Sequence, residues 1–197
     1  MTTAPDRPDV HDRILDEATI LFERHGFHGV SMRQVAEAAG VSKAGLYYHV
    51  HDKERLFLGV LLRAIARIGD HVDEATAGGG RARAQVRRVL RAIVTRMRGS
   101  ERIMRLAEQD AVHLSEEARA RMLAAYYARF VEPIRDVLRR GVERGELREV
   151  DVPEVTWLLL GQAFAGLSAP PERADSLVDA MVEVFFDGVA ARADTPQ

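Results

Sequence analysis

Lys43, Tyr47, Tyr48, His49 and Lys53 are hydrogen-bond donors crowded into one short stretch of the chain. Donors of this kind grip phosphate oxygens, and such contacts set the register of a protein on a duplex while base contacts specify the sequence. Ala44 and Gly45 stand among them and are small enough to let a backbone approach base edges. Leu46 and Val50 are four apart, so on a helix they share the face turned to a core. Lys43, Ala44, Tyr47 and Tyr48 then point outward. The only two lysines of the chain, Lys43 and Lys53, lie here, although an arginine-dominated composition would give that by chance as well.

The elements that must position these donors are legible on either side. Ser31 with Gln34 three residues on is a capping box and starts a helix. Met32, Val35 and Ala39 share one face of it, and Ala36 and Ala38 are strong helix formers. Gly40 supplies a stop where a left-handed backbone conformation is cheap. Ser42 caps again, and Lys43 to Val50 makes roughly two further turns. Two short helices joined by a glycine-bearing turn are a helix-turn-helix, whose second helix enters the major groove. Ser31 and Arg33 at the start of the first helix are expected on phosphates, Lys43, Ala44 and Tyr47 on bases, and Tyr48, His49 and Lys53 on the DNA backbone, with Ser42 in the same DNA-binding set.

The run Val41-Ser42-Lys43-Ala44-Gly45-Leu46-Tyr47-Tyr48-His49-Val50, followed by Asp52-Lys53-Glu54-Arg55-Leu56-Phe57, resembles the signature of the TetR (tetracycline-repressor-like) family of bacterial transcriptional regulators. Ile14-Leu15-Asp16-Glu17-Ala18 to Leu21-Phe22, then His25-Gly26-Phe27, is similar to the family's first helix and its exit. The resemblance covers about the first third of the chain. Val50 departs from it, standing where the family usually carries Phe. The resemblance implies a dimer joined by a four-helix bundle from the last two helices. It also implies an effector pocket inside helices 4 to 8, with ligand binding moving the DNA-binding heads apart.

Composition narrows the alternatives. The chain has 197 residues, 47% of them hydrophobic, a formal net charge of -2 and no cysteine. Disulfides, thiolate chemistry and zinc–thiolate sites are excluded. The near-neutral total does not announce a nucleic-acid partner, so the field local to the docking face must do so. No apolar run reaches the ~20 residues that span a bilayer. The N-terminus lacks a signal-peptide pattern, so a cytoplasmic location is expected.

The whole chain is expected to be all-α, with about nine helices. Residues 1–9 read as a flexible tail, 10–52 as the helix-turn-helix DNA-binding domain, and 53–197 as a helical effector-binding and dimerisation domain. Gly78-Gly79-Gly80 is the clearest linker. From Arg81 to Arg105 nine arginines face a single acid, Glu101. That run is a solvated basic face on an amphipathic helix, a support for DNA phosphates, or an attractor of an anionic ligand. Gly99-Ser100 ends the helix. Ser115 begins another that runs to about Arg144, and Pro133 should kink it. Asp151 or Pro153 opens helix 8, and helix 9 follows Pro170-Pro171.

Helices 8 and 9 are apolar on more than one face, and helix 8 carries Gly161, Ala163, Ala165 and Gly166. Helices of that kind must be covered on both sides. A homodimer interface is therefore expected at Trp157, Gly161, Phe164, Ala165, Leu177, Met181 and Phe185; burial of the two helices against each other within one chain is the competing reading. Met104, His113, Met122, Tyr126, Tyr127, Phe130, Trp157 and Phe164 are candidates to line an effector pocket, though each reads equally well as core. No catalytic constellation is present, no cofactor is called for, and the pairs His25/His28 and His49/His51 are weak grounds for a metal site. The expected function is a dimeric repressor, not an enzyme, released from a palindromic operator by a small hydrophobic effector. The rivals are an architectural or division-linked DNA-binding factor without an inducer, and an enzyme or carrier that keeps the helix-turn-helix as scaffold.

Overall fold

A computed structural model describes residues 9–97 and 101–189, apart from the side chains of Glu101, Met104 and Val189. The tail expected before Asp9, Arg98 and the helix break at Gly99-Ser100 lie outside the described residues. All regular structure among the described residues is helical: α1 (Val10–His25), α2 (Met32–Ala38), α3 (Lys43–His49), α4 (Lys53–Ala77), α5 (Ala82–Arg96), α6 (Glu101–Asp110), α7 (Glu116–Tyr126), α8 (Glu132–Glu143), α9 (Val152–Leu167) and α10 (Ala174–Val189). α7 and α8 run on through a π-helical turn, Tyr127–Val131, so they form one interrupted helix of the nine expected.

The π turn is where the sequence places Pro133. A proline has no N–H for the carbonyl four residues back, and its ring crowds that carbonyl. The backbone widens there, and the Glu132 N–H donates to the Tyr127 carbonyl five residues earlier. A wider turn of this kind inserts one residue into the helix instead of breaking it.

The chain forms two compact units: residues up to Ala64 together with Arg102–Leu123, and Ile65–Glu101 together with Ala124 onward. The first is larger than a head ending at residue 52, because α6 and the start of α7 belong to it. Its core is built on Ile14, Ala18 and Phe22 of α1, Val35 of α2, Leu46 of α3 and Leu56 and Phe57 of α4, all buried. Phe22 and Phe57 meet edge to face with ring centroids 5.0 Å apart, and Phe27 stands 5.1 Å from Phe57. Phe22 and Phe57, fully buried, each stabilise the head by about 1.5–3 kcal/mol.

In the second unit α5 is central and packs on α8, α9 and α10 through Val86, Val89, Leu90, Ile93 and Val94. Its basic face is engaged. Arg87 pairs with Asp179 at 3.0 Å, Arg91 with Asp175 at 2.9 Å and Arg96 with Glu74, while Arg83 lies over the Phe186 ring. Gly166 permits close packing: a Cβ there would stand 2.9 Å from both Met181 Cε and Val94 Cγ2. No helix among the described residues is long and apolar enough to cross a membrane.

Candidate nucleic-acid interface

The local chemistry of the helix-turn-helix is that expected from its residue types. The Ser31 hydroxyl accepts from the Gln34 N–H at 3.3 Å, and the Gln34 carboxamide oxygen accepts from the Ser31 N–H at 2.8 Å. Gly40 closes α2 at φ +63°, and the Val41 N–H returns to the Ala36 carbonyl at 3.0 Å. The Ser42 hydroxyl caps α3 by accepting from the Gly45 N–H at 3.0 Å. From α1, Arg13 donates to the Ala39 carbonyl at 3.1 Å and so braces the end of α2. Nothing in the spacing of Arg13 along the sequence reveals a carbonyl acceptor on another helix.

On this support α3 divides cleanly. Leu46 and Val50 are buried, whereas Lys43 and Ala44 are exposed, as are Tyr47 at 38% and Tyr48 at 83%. Packing does not require a phenolic ring so open to solvent as Tyr48. Ser31, Arg33 and Ser42 are also exposed. The Arg33 guanidinium pairs with Glu37 at 2.8 Å; that hydrogen bond, and secondarily the carboxylate charge, raises its pKa above the ordinary arginine value.

His49 and Lys53 are placed differently from the four outward residues. His49 is half-buried, with its ring centroid 6.2 Å from that of His11 and 5.4 Å from that of Tyr48. The Lys53 ammonium lies 4.5 Å above the Phe27 ring. Burial lowers its pKa from the ordinary lysine value, and the Asp110 charge opposes that in part. An ammonium seated on an aromatic face gains from the ring quadrupole, which favours this position over the ring.

The candidate effector residues fall in both units. In the second, Tyr126 and Phe130 have centroids 5.4 Å apart, Phe130 and Phe164 6.1 Å, and Tyr127 and Trp157 6.2 Å, a run of aromatic contacts from the π turn to α9. In the first, Met122 is buried, and His113 stacks on Phe27 at 5.4 Å and meets His28 edge to face at 4.1 Å. The Met104 side chain lies outside the described residues. Among the described residues no group of three or more His, Cys, Asp or Glu is arranged to hold a metal ion.

The residues expected at a dimer interface also divide. Trp157, Gly161 and Ala165 are exposed along one face of α9, and Leu158 beside them is 68% exposed. Val184 of α10 is 64% exposed. Phe164 and Leu177 are half-buried, and Met181 and Phe185 are buried within the chain itself.

Comparison with known proteins agrees along almost the whole chain. Residues 14–60 match the model of bacterial regulatory proteins of the tetR family, and residues 83–191 match that of a tetracyclin repressor-like C-terminal domain. The chain is 28% identical over 158 residues to the HTH-type transcriptional repressor AcnR of Corynebacterium glutamicum, covering 76% of this chain and 75% of that protein. It is 24% identical over 186 residues to the HTH-type transcriptional repressor KstR2 of Rhodococcus jostii, covering 90% of each. Among solved structures it is similar to the TetR family transcriptional regulator PfmR of Thermus thermophilus, with TM-score 0.74, 29% identity, and coverage of 89% of this chain and 98% of that one.

Proposed function

Because the chain belongs to the tetR family of bacterial regulatory proteins, we propose that it is a cytoplasmic, dimeric repressor released from a palindromic operator by a small hydrophobic effector. The observation that carries this reading is the division of α3. Leu46 and Val50 are spent on the core, and Lys43, Ala44, Tyr47 and Tyr48 are left to solvent on a capped, braced helix. Lys43 and Tyr48 would take phosphates, with Arg33 and the hydroxyls of Ser31 and Ser42 at the edge of the same contact. Ala44 and Tyr47 would face bases. His49 and Lys53 support the docking face from behind.

The exposed apolar face of Trp157, Leu158, Gly161 and Ala165 on α9, with Val184 on α10, supports a second copy as the covering partner. Contiguous apolar surface of this kind marks an interaction site, and twofold closure is the commonest way to satisfy it. A twofold dimer would place two recognition helices about one DNA turn apart, as an inverted repeat requires. The aromatic run Tyr126, Tyr127, Phe130, Trp157 and Phe164 supports an apolar effector, since small-molecule sites are lined mainly by such side chains. The protein would act by binding and not by catalysis.

The test is selection from a random duplex library by the native protein beside a Lys43→Ala/Tyr47→Ala variant. The expected result is an inverted repeat enriched by the native protein alone. A folded native dimer that enriches nothing would overturn the reading.

A further inference from the structure

The basic run on α5 has no part in the operator reading, yet it opens onto a groove of about 460 Å³ within the second unit. Arg88, Arg91 and Arg96 of α5 line one side, and His71 and Glu74 of α4 line the other. Three guanidinium groups thus line the groove, with Glu74 the one carboxylate among its lining residues. A concavity of this volume is in the range of small-ligand sites.

Arg88 is the anchor. Its Nε donates to the Ala75 carbonyl and its Nη2 to the Gly79 carbonyl, both at 2.7 Å, and among the described residues no carboxylate pairs with it. Its charge is therefore held in place and left without a counter-ion. Arg91 and Arg96 stand at the rim, in pairs with Asp175 and Glu74 that are exposed on both sides. Exposed pairs of this kind contribute little and exchange partners readily. His71 lines the groove opposite these arginines.

We propose that the groove between α4 and α5 binds a small phosphorylated anion, with Arg88, Arg91 and Arg96 on the phosphate oxygens. Arginine suits phosphate because its fixed fork of donors matches the oxygens two at a time. A duplex backbone fits less well, because Arg88 is half-buried in a groove of small-ligand size. The site is separate from the aromatic run of Tyr127 and Trp157, and it does not rest on the operator reading.

The experiment is calorimetric titration of the full chain with inorganic pyrophosphate in the absence of DNA. Arg88 supports the end of α4, so the informative variant is the rim pair, Arg91→Gln/Arg96→Gln, with its fold checked by thermal melting. Saturable binding by the native protein is expected, weakened by about tenfold or more in the rim variant. The variant Arg81→Gln/Arg83→Gln, at the start of the same helix but outside the groove, should bind as the native protein does. Absence of saturable binding would overturn the proposal. Equal weakening by both variants would reduce it to general charge attraction. A rim variant that binds pyrophosphate normally but loses affinity for duplex DNA would assign the arginines to the DNA backbone instead.

Discussion

The carboxylate of Asp110 accepts a 2.7 Å hydrogen bond from the backbone N–H of Phe27, across 83 residues of sequence. It ties the end of α6 to the loop that leaves α1. The same carboxylate group stands 3.3 Å from where a Cβ on Gly26 would be, so Gly26, at φ +67°, serves both the turn and the approach. Asp110→Ala leaves a partly buried N–H without a partner, which costs about 1–3 kcal/mol. A fall in melting temperature of roughly 2–4 °C per kcal/mol is expected for a chain of this size. Asp110→Asn, which keeps an acceptor, should fall less, and equal melting temperatures for all three proteins would refute the tie.

Lys53 gives the head an alkaline signature. Its pKa is lowered by burial, so the folded state releases the proton before the unfolded chain does. Between the two pKa values the unfolded state holds more protons, and stability rises with pH through that window. Below it, the cost of burying the charged ammonium is present in full. Lys53→Met keeps a long apolar side chain over Phe27 and should flatten this rise. Denaturant unfolding of both proteins from neutral pH to about pH 11, past the ordinary lysine value, checks it; an unchanged slope in the variant would place the effect elsewhere.

Lys43→Ala should weaken operator binding and reduce the salt slope by about one unit, as loss of one phosphate contact does. Tyr48→Ala should also weaken binding while leaving stability within about 0.5 kcal/mol, because the ring packs against so little. Tyr47→Ala should change the selected sequence as well as the affinity. Titrations at several salt concentrations and a repeat of the library selection read these outcomes, and an identical consensus would remove Tyr47 from base reading.

Two glycines should respond oppositely to the same substitution. A Cβ on Gly69 would stand 2.9 Å from Arg129 Cβ and 3.0 Å from its carbonyl oxygen. The neighbour is backbone of the π turn, and Arg129 is also held by Asp70 at 2.7 Å and Asp73 at 3.0 Å. Gly69→Ala is expected to cost about 1–3 kcal/mol through overpacking. Gly161 meets nothing within 4 Å, so Gly161→Ala should leave the protomer's stability unchanged or raise it by up to about 1 kcal/mol. Urea melts in the monomeric Leu158→Glu/Val184→Glu background compare the two without the interface, and a loss at Gly161 with none at Gly69 would contradict the packing described.

Leu158→Glu/Val184→Glu should yield folded monomers. Both side chains are exposed in the protomer, so its core loses nothing, while a covered interface would gain buried, unpaired charge. Sedimentation velocity and far-UV circular dichroism together decide it: a dimer of native size would show that another surface joins the copies.

Local chemistry determined much of this protein before any tertiary contact was known. Ser31 with Gln34, the glycine at 40 and the cap at Ser42 act within a few residues of themselves, and they delimit α2 and α3 as expected. Helical spacing alone marked Leu46 and Val50 as core and Lys43, Ala44, Tyr47 and Tyr48 as surface. The all-α class follows from the same periodicity.

Tertiary structure decided what a residue's own segment cannot know: which neighbour reaches it. His113 reads in sequence as a polar group for a pocket or as a satisfied residue, and it is stacked on Phe27 of the loop that leaves α1. Lys53 reads as a phosphate donor and lies over that same ring. Along α9 and α10 apolar residues occupy more than one face, so periodicity alone does not say which of those faces turns inward. Only the packing of α5 takes Gly166, Met181 and Phe185 into the chain's own interior and leaves Trp157, Leu158, Gly161 and Val184 outside. Capping and periodicity are encoded within a turn or two of helix, whereas the choice among equally apolar faces depends on the position of helices dozens of residues away.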